Sequence, residues 1–184
     1  MPFDPSQVYT PDADTYLLLD AARAEVKAGD RVLEVGTGSG LISAELTKVT
    51  RVVATDINPH AVLCARKKGV AVVQNDLFCG IRSSFDLILC NPPYLPTQPE
   101  ERIDDWLEYA LDGGPNGRVV IERFSEQVSR VLAPRGRILL LISSLTGLPE
   151  VRDLFFKAGF ASEIILRKNV EGETLYVLKI VRQD

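Results

Sequence analysis

The chain has 184 residues, 46% hydrophobic and 25% charged, and its 21 Lys and Arg against 25 Asp and Glu give a formal net charge of −4. This composition is typical of globular proteins, and the length suits a single domain, which we expect over residues 1–184. A negative net charge is the wrong sign for a module held to nucleic acid mainly through phosphate contacts, so a nucleic-acid partner is disfavoured.

The cysteine and histidine content argues against a disulfide framework and a metal centre. Cys64, Cys79 and Cys90 form no C-x-x-C pair, and His60 is the one histidine. The first residues lack the basic start and apolar stretch of a signal peptide. The longest aliphatic run, Ile138–Ile142, is far shorter than the roughly 20 residues that span a bilayer. We therefore expect a cytoplasmic protein with reduced thiols and no membrane contact.

A helix is predicted near the start of the chain. Thr10 and Pro11 suit its cap and first position, and the helix is expected over 12–27. Its apolar surface is expected to comprise Tyr16, Leu17, Leu18, Leu19 and Ala22. We expect this short helical segment, about residues 1–28, to cover a sheet rather than form a domain of its own.

Short β-branched runs then alternate with longer stretches of helical periodicity, which predicts a parallel sheet with crossover helices. The predicted strands are apolar enough to be buried on both faces, and they are Arg31–Val35, Arg51–Asp56, Val70–Gln74, Phe85–Asn91 and Arg137–Ser143. The predicted crossover helices are Leu41–Val49, Pro59–Lys68 and Gly117–Leu132. Asn58 is expected to cap the second helix, and Pro134 with Gly136 to end the third.

The last forty or so residues have a different pattern. A helix is predicted over Leu148–Ala158, followed by strands Ala161–Lys168 and Glu173–Ile180. The four residues 169–172 are too short for a crossover, so these two strands must be antiparallel. The pattern predicts an α/β fold of the S-adenosylmethionine (SAM)-dependent methyltransferase type, Rossmann-like, with a seven-stranded, mostly parallel sheet and a C-terminal antiparallel hairpin.

A glycine-rich loop, Gly36-Thr37-Gly38-Ser39-Gly40, follows the first predicted strand and precedes a helix. Glycines let a ligand approach the backbone, and the helix N-terminus presents free N–H groups. Leu41 breaks the G-x-G-x-x-G spacing of dinucleotide-binding loops. Glu34 suits a cation better than a phosphate, and SAM carries an ammonium and a sulfonium. The alternative is a turn required only for strand-to-helix packing.

Two more acidic residues lie at the ends of the next two strands: Asp56 ends the second strand, and Asp76 follows the third. Asp56 could accept both ribose hydroxyls of an adenosine, which fits NAD and SAM equally. Asp76, before Leu77, could accept the adenine amino group while a backbone N–H meets a ring nitrogen. Any one of these acids could instead be a helix cap. Three at consecutive strand ends favour a ligand, because ligands of open α/β sheets lie beyond the carboxyl ends of the strands.

The sequence Asn91-Pro92-Pro93-Tyr94 follows the fourth predicted strand. Its prolines stiffen the turn and remove two backbone donors, which leaves carbonyl groups as acceptors. The Asn91 side-chain oxygen and the Pro92 carbonyl could accept the two N–H bonds of a planar amino group, and Tyr94 could cover its π face. This predicts a site for an amide or an aromatic amine, with a proline turn and a packed tyrosine as the alternative.

The motifs EVGTGSG, DINP, NDLF and NPPY, in this order and spacing, resemble the HemK-type protein-glutamine N5-methyltransferases. The segments at 11–21, 111–124 and 171–179 are similar to the archaeal and eukaryotic branch, which acts on the class 1 peptide chain release factor in translation termination. NPPY also occurs in methyltransferases that modify adenine N6 and cytosine N4. The alternatives are therefore an adenine-N6 DNA or RNA methyltransferase, methylation of another protein side chain, or a non-catalytic SAM-binding scaffold, against which the intact Asn91 and Tyr94 argue.

The resemblance implies SAM as cofactor, no metal, and methylation of the glutamine of a Gly-Gly-Gln motif. It implies that Asn91 binds the target glutamine and that SAM is contacted by Thr15, Glu34, Gly36, Asp56, Asp76 and Leu77. Gly38 and Gly40 are added to this set from the glycine-rich loop. We predict Asn91, Pro92 and Tyr94 as the catalytic group, and Asn91 also as a cofactor neighbour.

Two partner predictions follow. Val70–Val73 would be an exposed apolar strand at the sheet edge, and related eukaryotic enzymes are activated by a small zinc-binding protein on this region. We expect such an activator to bind here by strand addition, unless the protein's own helices shield the edge. Bacterial relatives grip the release factor with an N-terminal helical domain, and only about thirty residues precede Glu34 here. Leu95–Pro115, which includes Trp106 and Tyr109, is therefore the predicted recognition segment.

Overall fold

The computed structural model describes residues 2–98 and 105–183, and it contains a seven-stranded sheet between two layers of helices. The strands are β1 Arg31–Val35, β2 Arg51–Asp56, β3 Ala71–Gln74, β4 Phe85–Cys90, β5 Leu132–Ser143, β6 Phe160–Val170 and β7 Glu173–Arg182. The helices are α1 Ala13–Glu25, α2 Leu41–Leu46, α3 Pro59–Lys67, α4 Glu108–Leu111, α5 Val119–Gln127 and α6 Leu148–Lys157. Short 3-10 turns lie at Pro5–Gln7, Val128–Arg130 and Ser144–Thr146.

The strand order is β3-β2-β1-β4-β5-β7-β6. Strands β1 to β5 pair in parallel, whereas β7 is antiparallel to both β5 and β6. The predicted fold class is confirmed. Because β1 is flanked by β2 on one side and β4 on the other, the chain order reverses at β1, and a crevice is expected beyond the carboxyl ends of these strands.

The core consists of two main apolar layers, one on each face of the sheet. Along β4, Leu87 and Leu89 pack with α1 and α2, while Ile88 and Cys90 pack with α5 and α6. Successive side chains of a strand point to opposite faces, so a strand covered on both sides must be apolar at every position. This explains the continuous apolar runs in the sequence.

A buried ion-pair cluster anchors α1 at the opposite end of the sheet from the crevice. Arg137 of β5 is 7% exposed, and its guanidinium lies 3.3 Å from the carboxylate of Glu25 and 2.7 Å from that of Asp30. Lys179 of β7 also contacts Glu25 at 3.0 Å. The end of α1 is thereby fixed to the central strands, which holds its first turn at the crevice.

Several predicted boundaries differ from the structure. Helix α1 begins at Ala13 and not at Pro11, because the Asp12 side chain accepts the Ala13 N–H at 2.7 Å and caps the helix. The predicted apolar surface of α1 was wrong for Tyr16, which is 50% exposed. Strand β5 begins at Leu132, so Pro134 lies inside a strand and does not end a helix. The β4–β5 ladder is irregular there, as expected around a proline that has no N–H to donate.

The crossover before β5 and the hairpin after α6 also differ in length. Helix α5 gives way to the 3-10 turn Val128–Arg130, and α2 ends at Leu46. In the hairpin, Val170 pairs with Glu173, so the connection is two residues long and not four. No helix within residues 2–98 and 105–183 combines the length and apolar character that a bilayer span requires.

Candidate active site

One cavity lies beyond the carboxyl ends of β1 to β4, at the crevice that the strand order defines. Its walls are completed by the segment before α1, by the first turn of α1 and by α4 and α5. The predicted site residues that line it are Thr15, Glu34, Gly36, Gly38, Asp56, Asp76, Leu77, Asn91, Pro92 and Tyr94. Residues far apart in sequence thus meet because parallel strands end at one edge of the sheet.

Gly40 is the predicted site residue that does not line this cavity. It caps α2 with a φ of 76°, and a Cβ placed there would lie 2.7 Å from the Ala65 Cα of α3. The third glycine of the loop is therefore required for the close approach of α2 to α3. The packing alternative considered for the glycine-rich loop fits this position.

Glu34, the penultimate residue of β1, carries a buried carboxylate and is 4% exposed. Its Oε2 accepts hydrogen bonds from Thr37 Oγ1 at 2.7 Å, from Ser43 N at 3.1 Å and from Ser43 Oγ. Burial away from water raises the pKa of Glu34 to about 7, although these hydrogen bonds favour the ionised form. A buried acid of this kind is well suited to a cationic group in the cavity.

Asp56 ends β2 and fixes the glycine-rich loop. Its Oδ2 accepts Gly38 N–H at 2.8 Å and its Oδ1 accepts Asn58 N–H at 2.9 Å. Gly36 and Thr37 both donate their N–H groups to the Thr55 carbonyl. Burial raises the pKa of Asp56, while the backbone N–H bonds lower it. These hydrogen bonds tie the loop to β2.

Asp76, after β3, is half-exposed and forms an ion pair with Arg123 of α5 at 2.6 Å. The next residue, Leu77, has a φ of 47°, a conformation that is uncommon for a side chain of this type and that concentrates at functional sites. Its carbonyl accepts the Asn75 amide at 3.1 Å. Arg123, which the sequence analysis did not single out, also lines the cavity.

The Asn91 side chain is held from behind by Asp14 of α1. Asn91 Nδ2 donates to Asp14 Oδ2 at 3.0 Å, and Asp14 is 4% exposed. The Asn91 Oδ1 atom is buried and accepts no hydrogen bond from the described residues. A buried acceptor without a partner is costly, and such atoms mark places where a ligand donor belongs.

Two tyrosines share the same carboxylate. Tyr9 OH lies 3.1 Å and Tyr94 OH 3.4 Å from Asp14 Oδ2. Burial, together with the Asp14 charge, raises the pKa of both phenols above their ordinary value, so both remain neutral donors. Asp14 and Tyr9 are functional candidates that the sequence reasoning missed. The one available signal was the position of Asp14 in the first turn of α1, three residues before the apolar run Leu17–Leu19.

The NPPY loop is supported from below by the segment before α5. A Cβ at Gly117 would lie 2.3 Å from the Tyr94 carbonyl oxygen, and one at Gly113 would lie 3.0 Å from that of Pro93. Thr146 Oγ1 donates to the Tyr94 carbonyl at 2.9 Å. The loop conformation therefore depends on glycines that allow backbone-to-backbone contact.

The outer wall of the cavity joins the chain's first residues to the segment around Trp106. The Gln7 side-chain oxygen accepts a hydrogen bond from the backbone N–H of Trp106 at 2.9 Å. Asn58 Nδ2 donates to the backbone carbonyl of Gln7 at 2.7 Å. Trp106 stacks on Tyr109, which is 54% exposed and lines the cavity. Residues 99–104 of the predicted recognition segment lie outside the described residues. Among the residues that are described, no group of three or more His, Cys, Asp and Glu side chains could hold a metal ion.

Known proteins that are similar in sequence identify the class of protein to which this chain belongs. The sequence profile of the family described as Methyltransferase small domain matches residues 8–105, which include the glycine-rich loop and NPPY. The chain is 40% identical to a Methanocaldococcus jannaschii protein whose name ascribes to it protein N5-glutamine methyltransferase activity, over 96% of this chain and 92% of that protein. It is 36% identical to Methyltransferase HEMK2 of Homo sapiens, over 96% and 91% of the two chains.

A solved structure agrees with these relatives. The E. cuniculi Mtq2-Trm112 complex, described as responsible for methylation of the eRF1 translation termination factor, includes a chain that is 33% identical, with a TM-score of 0.82 and coverage of 96% of this chain and 99% of that chain. The chain belongs to the HemK-type protein N5-glutamine methyltransferases, a family of SAM-dependent enzymes.

Proposed function

We propose that this protein transfers a methyl group from SAM to the side-chain nitrogen of a glutamine, that of the Gly-Gly-Gln motif in the class 1 release factor. The observation that carries the proposal is the buried, unpartnered Oδ1 atom of Asn91, a residue that lines the cavity. An acceptor in that position matches the NH2 group of a primary amide. The names of the similar proteins support glutamine as the target and eRF1 as the protein that carries it.

The cavity fits SAM as the methyl donor. The buried carboxylates of Glu34 and Asp56, at the ends of adjacent strands, suit its cationic end and its ribose hydroxyls respectively. Gly36 lines the cavity with a φ of 74°, and a Cβ placed there would lie 3.9 Å from the Asn91 carbonyl oxygen. Thr15, Gly38, Asp76 and Leu77 complete the set that would hold it. When bound, SAM supplies an electrophilic methyl group on a good leaving group.

An amide nitrogen is a poor nucleophile because its lone pair is delocalised into the carbonyl. The Asn91 side-chain oxygen and the Pro92 carbonyl would accept the two N–H bonds of the glutamine amide and orient its nitrogen. These acceptors would also stabilise the positive charge that develops on that nitrogen, each by about 1.5 to 3 kcal/mol. Tyr94 would cover the face of the amide. The extra proton can leave after methyl transfer, so the reaction requires no general base.

The test incubates the protein and labelled SAM with the release factor, with its Gly-Gly-Gln variant carrying Gln→Ala, and with duplex DNA. We expect label on the wild-type release factor and none on the variant or on DNA. Label on DNA alone would overturn the proposal in favour of an adenine methyltransferase with the same acceptor pair. Label on both release factors would point to another protein side chain.

A second protein is proposed at the β3 edge. Strand β3 is at one end of the sheet, and Ala71 and Val73 are exposed there, Val73 by 56%. The E. cuniculi relative was solved as a complex with Trm112. A small zinc-binding activator of that kind would add a strand to Val70–Val73 and cover it.

A substrate in the translation machinery also supports a cytoplasmic location for this protein. Residues 1–184 would act as one methyltransferase domain.

Co-expression with such an activator from the source organism, followed by gel filtration, tests this interface. We expect one heterodimer peak, and we expect Val73→Lys to split it into two monomers. The matched control is Ile164→Lys, because Ile164 is 42% exposed on β6, the strand at the opposite edge. Two monomer peaks for the wild-type pair, or equal effects of the two substitutions, would contradict strand addition at β3.

A further inference from the structure

We infer that Asp14 is a positioning residue for methyl transfer: its carboxylate fixes the Asn91 amide so that the NH2 group faces away from the substrate and the oxygen faces it. This inference rests on the proposed function. It assigns the orientation of the acceptor to a residue on α1, 77 positions away in sequence.

The chemistry of a carboxylate decides which way the Asn91 amide is turned. An ionised carboxylate can only accept hydrogen bonds, so the part of the Asn91 side chain that faces Asp14 Oδ2 at 3.0 Å must be the NH2 group. The Oδ1 atom then has to face the opposite side, where it is buried without a partner. Without Asp14, nothing in these contacts would favour this orientation over one rotated by half a turn.

Asp14 is itself held firmly in place. Its Oδ1 accepts the N–H and the hydroxyl of Thr15, and its Oδ2 accepts the hydroxyls of Tyr9 and Tyr94 besides the Asn91 amide. It also lies in the first turn of α1, where the helix dipole favours a negative charge. These donors offset the cost of burying the carboxylate, and they fix the orientation of the Asp14 side chain.

The orientation matters because the two ends of an amide have opposite hydrogen-bonding character. With the oxygen toward the cavity, Asn91 accepts a hydrogen bond from the glutamine NH2 group and stabilises the positive charge that develops on its nitrogen. With the NH2 group toward the cavity, two donors would face each other and productive binding would be lost. The negative charge of Asp14 behind the Asn91 NH2 group also polarises the amide and makes its oxygen a stronger acceptor.

The decisive variants exchange the two partners. Asp14→Asn keeps the size of the side chain but introduces an NH2 group that can turn Asn91 around. Asn91→Asp alone places two carboxylates against each other. The double variant D14N/N91D restores one hydrogen bond with donor and acceptor reversed, and it again presents an oxygen to the cavity. Asp12→Asn is the matched control, because Asp12 is exposed two residues earlier and asparagine is an equally good cap.

We expect D14N to lower kcat on the release factor about 100-fold, as removal of one oriented catalytic hydrogen bond does elsewhere, with the Kd for SAM changed by less than about threefold. The double variant should recover kcat at least about tenfold over either single variant. D12N should stay within about twofold of wild type. If D14N is as active as wild type, or if the double variant is no better than both singles, the inference is wrong.

A spectroscopic readout separates this inference from the proposed function and needs no variant to be active. In 15N–1H NMR spectra of the wild-type protein, the Asn91 side-chain NH2 signals, assigned by their loss in N91D, should exchange slowly with water and shift strongly in D14N but not in D12N. Fast exchange in wild type would overturn the role of Asp14. A wild-type protein with protected signals that does not methylate the release factor would instead overturn the proposed function.

Discussion

The raised pKa of Glu34 predicts how the affinity for SAM depends on pH. Burial raises the pKa of its carboxyl to about 7, so at about pH 6 most of the protein without SAM carries a proton on this side chain. A cation in the cavity favours the ionised form, and binding must therefore release that proton. The affinity for SAM should therefore increase as pH rises through about 7.

The magnitude follows from the ionised fraction. With a pKa of about 7, about one tenth of Glu34 is ionised at pH 6 and about nine tenths at pH 8. If the ionised form alone binds, the Kd for SAM should be about tenfold lower at the higher pH, a free-energy difference of about 1.4 kcal/mol. Isothermal titration calorimetry in buffers of different ionisation enthalpy should also show close to one proton released at the lower pH.

The control is Glu34→Gln, which keeps the shape and removes the titration. We expect its affinity to be weaker and its pH dependence to be nearly flat, and since the same ligand is used, any ionisation of SAM itself is common to both proteins. If wild type and Glu34→Gln change in parallel with pH, the link between Glu34 and the cationic end of the cofactor is wrong.

The same pKa shift predicts how stability depends on pH in the protein without SAM. The folded protein binds the Glu34 proton more tightly than the unfolded chain, whose pKa is near 4.5. The contribution of Glu34 to the free energy of unfolding is therefore full below about pH 4.5, and on the order of 3 kcal/mol is lost as pH rises to about 7. The difference between wild type and Glu34→Gln in urea titrations should change in that window, and a constant difference would contradict the shift.

Three further predictions concern the loop, its support and the sheet. Asn91→Ala should abolish turnover and leave SAM binding nearly intact by calorimetry; retained turnover would refute the role given to this residue. Gly117→Ala combines a φ of 71° with a clash against the NPPY loop, and it should lose both activity and more than about 2 kcal/mol of stability. The control Gly172→Ala, at a φ of 80° in open space, should cost about 1 kcal/mol and keep its activity. Equal losses for the two variants would exclude the clash. Arg137→Met should cost about 3 to 5 kcal/mol in urea unfolding, because it removes the guanidinium partner of the mostly buried Asp30 carboxylate and leaves Glu25 with Lys179 alone. Arg31→Met, which breaks an exposed ion pair, should cost less than about 1 kcal/mol. Similar costs would contradict the importance of burial.

Much of the fold was accessible from the sequence because periodicity and proline positions report local geometry directly. The bounds of β1 and β2 were predicted to the residue, and Asn58 caps α3 as expected. The start of β5 was missed because a proline and a glycine usually end regular structure. Here Pro134 lies in an irregular part of the ladder that only the pairing of β4 and β5 defines.

The candidate site was predictable where it follows strand ends and was missed where it depends on contact between distant elements. Glu34, Asp56 and Asn91 could be placed from the strand pattern alone. Asp14 could not, because the role inferred for it depends on a hydrogen bond between the first turn of α1 and Asn91, and nothing near Asp14 in sequence indicates that contact. The packing of Gly40 against Ala65 was hidden for the same reason, since the sequence does not show how closely α2 and α3 approach.

The contacts of Gly113 and Gly117 beneath the NPPY loop set a limit on how such an enzyme can be redesigned. Because the loop and the glycine segment touch through their backbones, neither can be exchanged for the corresponding piece of another methyltransferase without the other. A chimaera that receives only the four-residue motif would carry the right chemical groups on a mismatched support. The smallest transplantable unit therefore includes both segments.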